Sequence, residues 1–256
     1  MLSQSPLHEV VPFRIAASTV GPHGYLTLPH LIRMLQEAAM RNTVRLGISS
    51  PELVKRYNLS WVLRRQRISC RAWPRMGDEV SVITAPSGFE RGLLTYRDFH
   101  LRDANGENLL SASSEWLLMD MKSRRLKPIP PSIALLKRDL APAAAHLEKP
   151  SGKISAPTPP LTSRASEVAF YQLDFNDHLT NPVFPELMLE PLGHAFLSHN
   201  LPVEVDLMFY LEARHGQTIT ATTGQPTDGN PVRHALKRDN ELLAAMETSW
   251  QPIKPV

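Results

Sequence analysis

Apolar residues at Leu31, Ile32, Met34, Leu35, Ala38 and Ala39 recur at intervals of three and four, which places them on one face of a helix. Gly47 follows at a position suited to ending that helix. A second face comes from Phe184, Leu187, Met188 and Leu192, and Asn181 before Pro182 predicts an N-cap with proline in the first helical position. After the first helix the pattern changes to alternation. "WVLRRQRISC", "DEVSVIT", "LLTYRDFHL" and "LLSASSEWLLM" each read as a strand. A long central helix wrapped by an antiparallel sheet accounts for this order, so the expected class is α+β.

Prolines crowd the middle of the chain at 128, 130, 131, 142, 150, 157, 159 and 160. Each fixes its own φ and biases its predecessor toward extended backbone, so no long helix runs through; "SIALLKRDL" leaves room for a short one. Residues 128–165 are therefore expected to connect an N-terminal unit, 1–127, to a C-terminal unit, 166–256. The two sides echo each other. "TVGPHGYLTLPHLIRMLQEAA" and "DFNDHLTNPVFPELMLE" both run from a turn into an apolar helix, with His23 set against His178 and Gly21 against Asn176. "WPRMGDEVSVIT" is matched by "EARHGQTITATT", and "RDANGENLLSASSEW" by "KRDNELLAAMETSW", ending in Trp116 and Trp250. The recurrence implies an internal duplication of one unit.

With 42% hydrophobic and 21% charged residues, 256 residues supply enough apolar material for one large core or two ordinary ones. Cys70 is the single cysteine, which excludes an intrachain disulfide framework and fits a reducing compartment. In its alternating stretch it reads as a buried structural thiol rather than a nucleophile. The first residues lack the basic, apolar and small-residue order of a secretory leader. No apolar run reaches the roughly 18 residues of a membrane span. A cytoplasmic location is expected. A net charge of +3 permits an acidic partner without pointing to nucleic acid. The clusters Arg64, Arg65, Arg67 and Lys122, Arg124, Arg125, Lys127 read equally as solvated faces or as docking patches.

The stretch "DFNDHLTN" concentrates polar chemistry. In a structural reading Asn181 caps a helix, Asp174 binds nearby backbone N–H groups and His178 is a satisfied core histidine. In a chemical reading His178 is a general base on water. Asn176 donates to a carbonyl oxygen, and Asp174 orients a neighbour. Extended backbone would put residues 174, 176 and 178 on one face, and a helix N-terminus beyond them would add backbone donors. Only the second half carries this acid, amide and histidine set, which favours the chemical reading.

Taken together, "LQEAAMRN", "SWVLRRQRIS", "WPRMGDEVSV", "YRDFHLRDANGENLLSASSEWLLMDMKSRRLKPIP" and "DFNDHLTNPVFPELMLE" resemble the acyl-ACP thioesterases of bacteria and plants over nearly the whole chain. The resemblance implies two tandem hot-dog units and hydrolysis of fatty acyl-acyl carrier protein to fatty acid and carrier. The family's Asp-x-Asn-x-His signature falls on Asp174, Asn176 and His178, and the second of its paired asparagines on Asn181, with Thr180 in place of the first. A fourth catalytic residue is a glutamate on the following strand. Anchored on Tyr210, its place falls on Ala213, leaving Glu212 one residue early, and a one-residue shift on a strand reverses the face. Arg214 stands where plant members have a cysteine.

The resemblance further implies that Asn176 and the amides of the second helix hold the carbonyl, that His178 activates water, and that Met34, Leu35 and Ala38 wall an acyl tunnel. Asn181 joins the substrate-binding set; either a local bulge restores Glu212 to the catalytic set or the protein works without that carboxylate. Arg64, Arg65, Arg67 or Lys122, Arg124, Arg125 would meet an acidic carrier protein. No metal or other cofactor is expected, and either a monomer of two repeats or a homodimer would serve. Three alternatives stand beside this: the same hydrolysis on acyl-CoA, a 3-hydroxyacyl dehydratase using Glu37, and an acyl-chain-binding module without turnover.

Overall fold

The computed structural model describes residues 5–227 and 229–254. The chain forms two compact units. The first takes the chain up to Arg14, Met34–Gln66 and Asp78–Pro150; the second takes Ile15–Arg33, Arg67–Gly77 and the chain from Ser151 on.

Helix α1, Leu28–Arg45, buries Leu31, Ile32, Met34, Leu35, Ala38 and Ala39, the face its spacing predicts. Its end follows from Gly47, whose φ of 68° is open to glycine without strain. The Ile48 amide then reaches back to Thr43 O (2.9 Å) and the Gly47 amide to Val44 O (3.0 Å), satisfying two carbonyls the helix leaves unpaired. Strands β1 (Glu9–Arg14), β2 (Leu59–Cys70), β3 (Glu79–Glu90), β4 (Leu94–Asp103) and β5 (Asn108–Asp120) lie in the order β1-β3-β4-β5-β2. A short β6, Leu126–Lys127, pairs with β5. One turn beyond Ala38, the buried Asn42 fastens α1 to β4: its Oδ1 accepts from Arg97 Nη1 (2.8 Å), and its Nδ2 donates to Leu7 O (2.9 Å). Burial lowers the Arg97 pKa to about 10.

Helix α2, Ser50–Tyr57, has no counterpart in the periodicity reading. Its signal is "SSPE": the Glu52 carboxylate accepts from the Ser49 amide (3.2 Å) and hydroxyl (3.0 Å), and proline follows just inside the start. Ser49→Ala is expected to cost about 1 kcal/mol in denaturant unfolding. The connector begins as a packed segment. Ile129 and Ile133, the latter in α3 (Pro131–Ala134), share a small core with Leu53, Leu59 and Leu118. The Leu147 amide is held by Asp98 Oδ2 at 2.9 Å. The expected short helix in "SIALLKRDL" is this α3, continued by a 3-10 turn over Leu135–Asp139.

In the second unit β7 (Leu161–Glu167), β8 (Asn200–Phe209), β9 (Thr218–Gly224), β10 (Val232–Arg238) and β11 (Glu241–Pro252) run in the order β8-β11-β10-β9-β7. The single long helix expected here is broken. Helix α4 covers only Val183–Leu189, a 3-10 turn carries Pro191, and α5 restarts at Gly193 and ends at His199. Proline supplies no amide to continue the ladder, and Gly193 takes a φ of 79°. Nor does Asn181 cap α4: the cap position is Pro182, and no side chain bonds there.

The break leaves the Met188 carbonyl to other donors. Thr223 Oγ1 (2.8 Å) and His234 Nδ1 (3.1 Å) take it, while Thr248 donates to His234 Nε2 (2.8 Å). Trp250 Nε1 donates in turn to Thr248 Oγ1 (2.7 Å), as Trp116 Nε1 does to Ser114 Oγ (2.8 Å) in the first repeat. The duplication thus reaches side-chain detail. Burial drives His234 down to about 3, so the folded protein holds it neutral at pH 5 while in the unfolded chain it returns to the ordinary histidine value of 6.5 and binds a proton. Lowering the pH from 7 to 5 therefore removes about 2 kcal/mol of stability through this residue. Urea titrations at the two pH values check this, with a smaller difference expected for His234→Gln.

Candidate active site

Residues 174–178 form a tight turn, so the extended backbone that would put 174, 176 and 178 on one face is not what occurs here. The Asp174 amide donates to His178 O (2.8 Å), the Asp177 amide to Asp174 O (3.0 Å), and Asp177 takes a φ of 62°. The Asp174 carboxylate closes the turn from inside, its Oδ1 accepting from the amides of Asn176 (2.8 Å) and His178 (3.3 Å). Asp174 thereby fixes the backbone of both residues.

The same turn occurs in the first repeat and corrects the alignment. The Gly21 amide bonds Tyr25 O (3.0 Å) and the Gly24 amide Gly21 O (2.8 Å), between a Val20–Leu26 bridge that matches Leu173–Leu179. Gly21 therefore stands opposite Asp174, His23 opposite Asn176 and Tyr25 opposite His178. Matching histidine to histidine slipped the comparison by two residues. The first copy has neither the acid nor the histidine at these places.

His178 is 8% exposed, and its Nε2 lies 3.1 Å from Glu212 Oε2. The pair is within ion-pairing distance, yet the imidazole nitrogen has no well-aligned hydrogen bond. Glu212 arrives by the bulge its register requires. Strand β8 ends at Phe209, and the amides of Tyr210 (2.9 Å) and Leu211 (3.2 Å) both donate to one carbonyl, Leu243 O. Two residues against one is the pattern of a bulge, which absorbs the one-residue offset. The Leu179 amide on Ala213 O (2.8 Å) and Arg238 Nη1 on Glu212 O (3.3 Å) then fix the segment beside His178. In the first repeat the Leu26 amide bonds Pro74 O in the same way (2.9 Å), so Trp73 holds the place of Glu212.

Asn176 and Asn181 are half-buried, and among the described residues neither carboxamide makes a hydrogen bond. The amides of α4 do not add to them. Pro182 and Pro185 have no N–H, and those of Val183 and Phe184 are spent on Thr180 O (3.0 Å) and Asn181 O (3.3 Å). The expectation that the helix holds the carbonyl is therefore withdrawn, and donation rests on the asparagine side chains.

The other expected residues divide. Met34, Leu35 and Ala38 are buried on α1 as core residues. Arg65 is 3% exposed, Arg64 is paired with Glu115, and Arg67 lies 3.9 Å from Glu204. Burial takes Arg65 out of any docking patch, while the Arg64 and Arg67 side chains stay partly exposed. Lys122, Arg124 and Arg125 are exposed on the turn after β5. Cys70 is buried and its thiol is pushed up to about 12, so it is no thiolate. The Glu37 carboxylate is exposed and bound by Arg41 Nε (2.7 Å), unsuited to the dehydratase role. Among the described residues no cluster of histidine, cysteine or acids could hold a metal, and no helix is long and apolar enough to cross a membrane. His234 was missed by sequence reasoning, since "PVRHALKR" gives no sign of its depth.

Two helix-on-sheet repeats, with a polar turn leading into the second helix, define a tandem hot-dog protein. Residues 11–136 match the acyl-ACP thioesterase N-terminal domain and residues 158–252 its C-terminal domain, and the chain belongs to that family. It is 26% identical to a chloroplastic acyl-[acyl-carrier-protein] hydrolase of Cuphea viscosissima, over 94% of this chain and 62% of that protein. It is 27% identical to the chloroplastic palmitoyl-acyl carrier protein thioesterase of Arabidopsis thaliana, over 95% of this chain and 64% of that one. The chain thus spans a little over three fifths of the length of these relatives. Its fold is that of an acyl-ACP thioesterase from Bacteroides thetaiotaomicron (TM-score 0.85, 20% identity, 96% of this chain and 98% of that chain). The 12:0-ACP thioesterase of Umbellularia californica shares it too (TM-score 0.85, 20% identity, 98% and 100%).

Proposed function

We propose that this chain hydrolyses the thioester of fatty acyl-acyl carrier protein, releasing a fatty acid and the carrier's thiol. The observation that carries the reading is the His178–Glu212 pair at 3.1 Å on the turn that also presents Asn176. With Nε2 facing Glu212, the other imidazole nitrogen of His178 takes a proton from water as the water oxygen attacks the thioester carbonyl. Glu212 stabilises the imidazolium that forms. Asn176 donates to the carbonyl oxygen as it gains charge. The C–S bond then breaks, and the imidazolium returns the proton to the departing thiolate. Asp174 acts through position, by holding the Asn176 and His178 amides.

The buried, lone Cys70 supports a reducing compartment such as the cytoplasm. The test is release of free thiol from a panel of acyl-acyl carrier proteins, with acyl-CoAs alongside. Turnover on the carrier-bound chains is the expected result. Binding without release above the uncatalysed rate would overturn the reading and leave an acyl-binding module.

A further inference from the structure

Five large apolar side chains stand exposed around the candidate site: Phe170 (68%), Tyr171 (96%), Phe175 (67%), Tyr210 and Leu211. The backbone gathers them. The Thr180 amide bonds Gln172 O (2.9 Å), Leu173 bridges Leu179, and the Leu179 amide bonds Ala213 O (2.8 Å). Three chain segments therefore run side by side, with His178 at the end of the middle one and Glu212 on the third. Phe170 and Tyr171 meet edge to face at 5.5 Å between ring centres, and Phe175 rides on the site turn itself.

The scaffold does not need these side chains. In the first repeat the same turn and the same strand end carry Ala17, Ser18, Pro22, Arg71 and Ala72 at the corresponding places. Only the copy with His178 and Glu212 has the aromatic rim. Exposed apolar groups clustered in this way mark a surface that another molecule covers.

We infer that this rim is the seat of the carrier protein that delivers the acyl group, an inference that rests on the hydrolase reading above. A carrier seated on this rim would bring its tethered thioester to the same three segments that hold His178 and Glu212. Aromatic side chains suit a protein partner, because they bury large area at little cost in side-chain entropy.

The test uses the double variant Phe170→Ser/Tyr171→Ser in the full chain, away from the reacting groups. Two readings are taken: kcat and KM on acyl-acyl carrier protein and on acyl-CoA, and affinity for carrier protein loaded with a non-hydrolysable thioether analogue. The expected result is a rise of about tenfold or more in KM and in Kd for the loaded carrier, with kcat kept and acyl-CoA turnover within about twofold of wild type. Equal losses on both substrates, or an unchanged Kd for the carrier, would overturn the inference. So would wild-type binding to anionic vesicles, or self-association, that the variant abolishes while carrier affinity is kept. Failure of the hydrolase reading looks different: the wild type releases no thiol from either substrate, and the carrier titration still reports on the rim.

Discussion

Replacing His178 with alanine is expected to lower kcat on acyl-acyl carrier protein by about 10²–10⁴, the range typical of a lost general base. The site geometry supports a loss of that order. The imidazole is buried, fixed through its own amide by Asp174, and carries Glu212 within 3.1 Å of Nε2. No second group on the turn can take its proton: Asn176 does not titrate, and the Asp174 carboxylate is bonded to two backbone amides. The fold does not depend on the ring, because the turn is held by Asp174 and by the backbone bonds from Asp174 and Asp177. The variant is therefore expected to unfold at a denaturant concentration close to that of wild type. Thiol-release kinetics alongside denaturant titration separate the two effects, and a parallel loss of stability would return His178 to a structural role.

Removing the Asn176 carboxamide is expected to cost about 10²–10³ in kcat, the usual loss for one preorganised donor to a developing oxyanion. The argument is one of supply. The helix beyond the turn offers no amides, since two of its first residues are prolines and the next two donors are engaged. Asn176 lies on the same turn as His178, and its backbone is pinned at 2.8 Å by Asp174. Asn176→Ala leaves that amide bond in place, so the loss is specific to the side chain. Because the donor matters most once charge has formed, kcat and kcat/KM should fall together while KM stays. A rise in KM at constant kcat would assign Asn176 to ground-state binding instead.

What could be read from the sequence was set by local physics. The buried face of α1 and its closure at Gly47 follow from side-chain spacing and from glycine's freedom at positive φ. The paired Trp116 and Trp250 marked a duplication that the structure carries down to the hydroxyl each indole meets. Two further signals were present but unused: "SSPE" before α2, and "EPLG", which breaks the second helix.

Other features depended on the tertiary fold. Glu212 reaches His178 because Leu243, on β11, accepts two successive amides from the end of β8, and no local pattern contains that bulge. Arg65 sits in a run that reads as a charged surface, yet the pleat of β2 turns it inward. Aligning His23 with His178 followed residue identity, whereas the hydrogen bonds align Tyr25 with His178.

The central claim is that His178 and Glu212 act as one unit on water, and a double-mutant cycle tests it most directly. kcat/KM on acyl-acyl carrier protein would be measured for wild type, His178→Ala, Glu212→Gln and the double variant. The account predicts strong non-additivity, with Glu212→Gln costing little once His178 is gone. Losses that add to within about 0.5 kcal/mol would show two independent residues and contradict it.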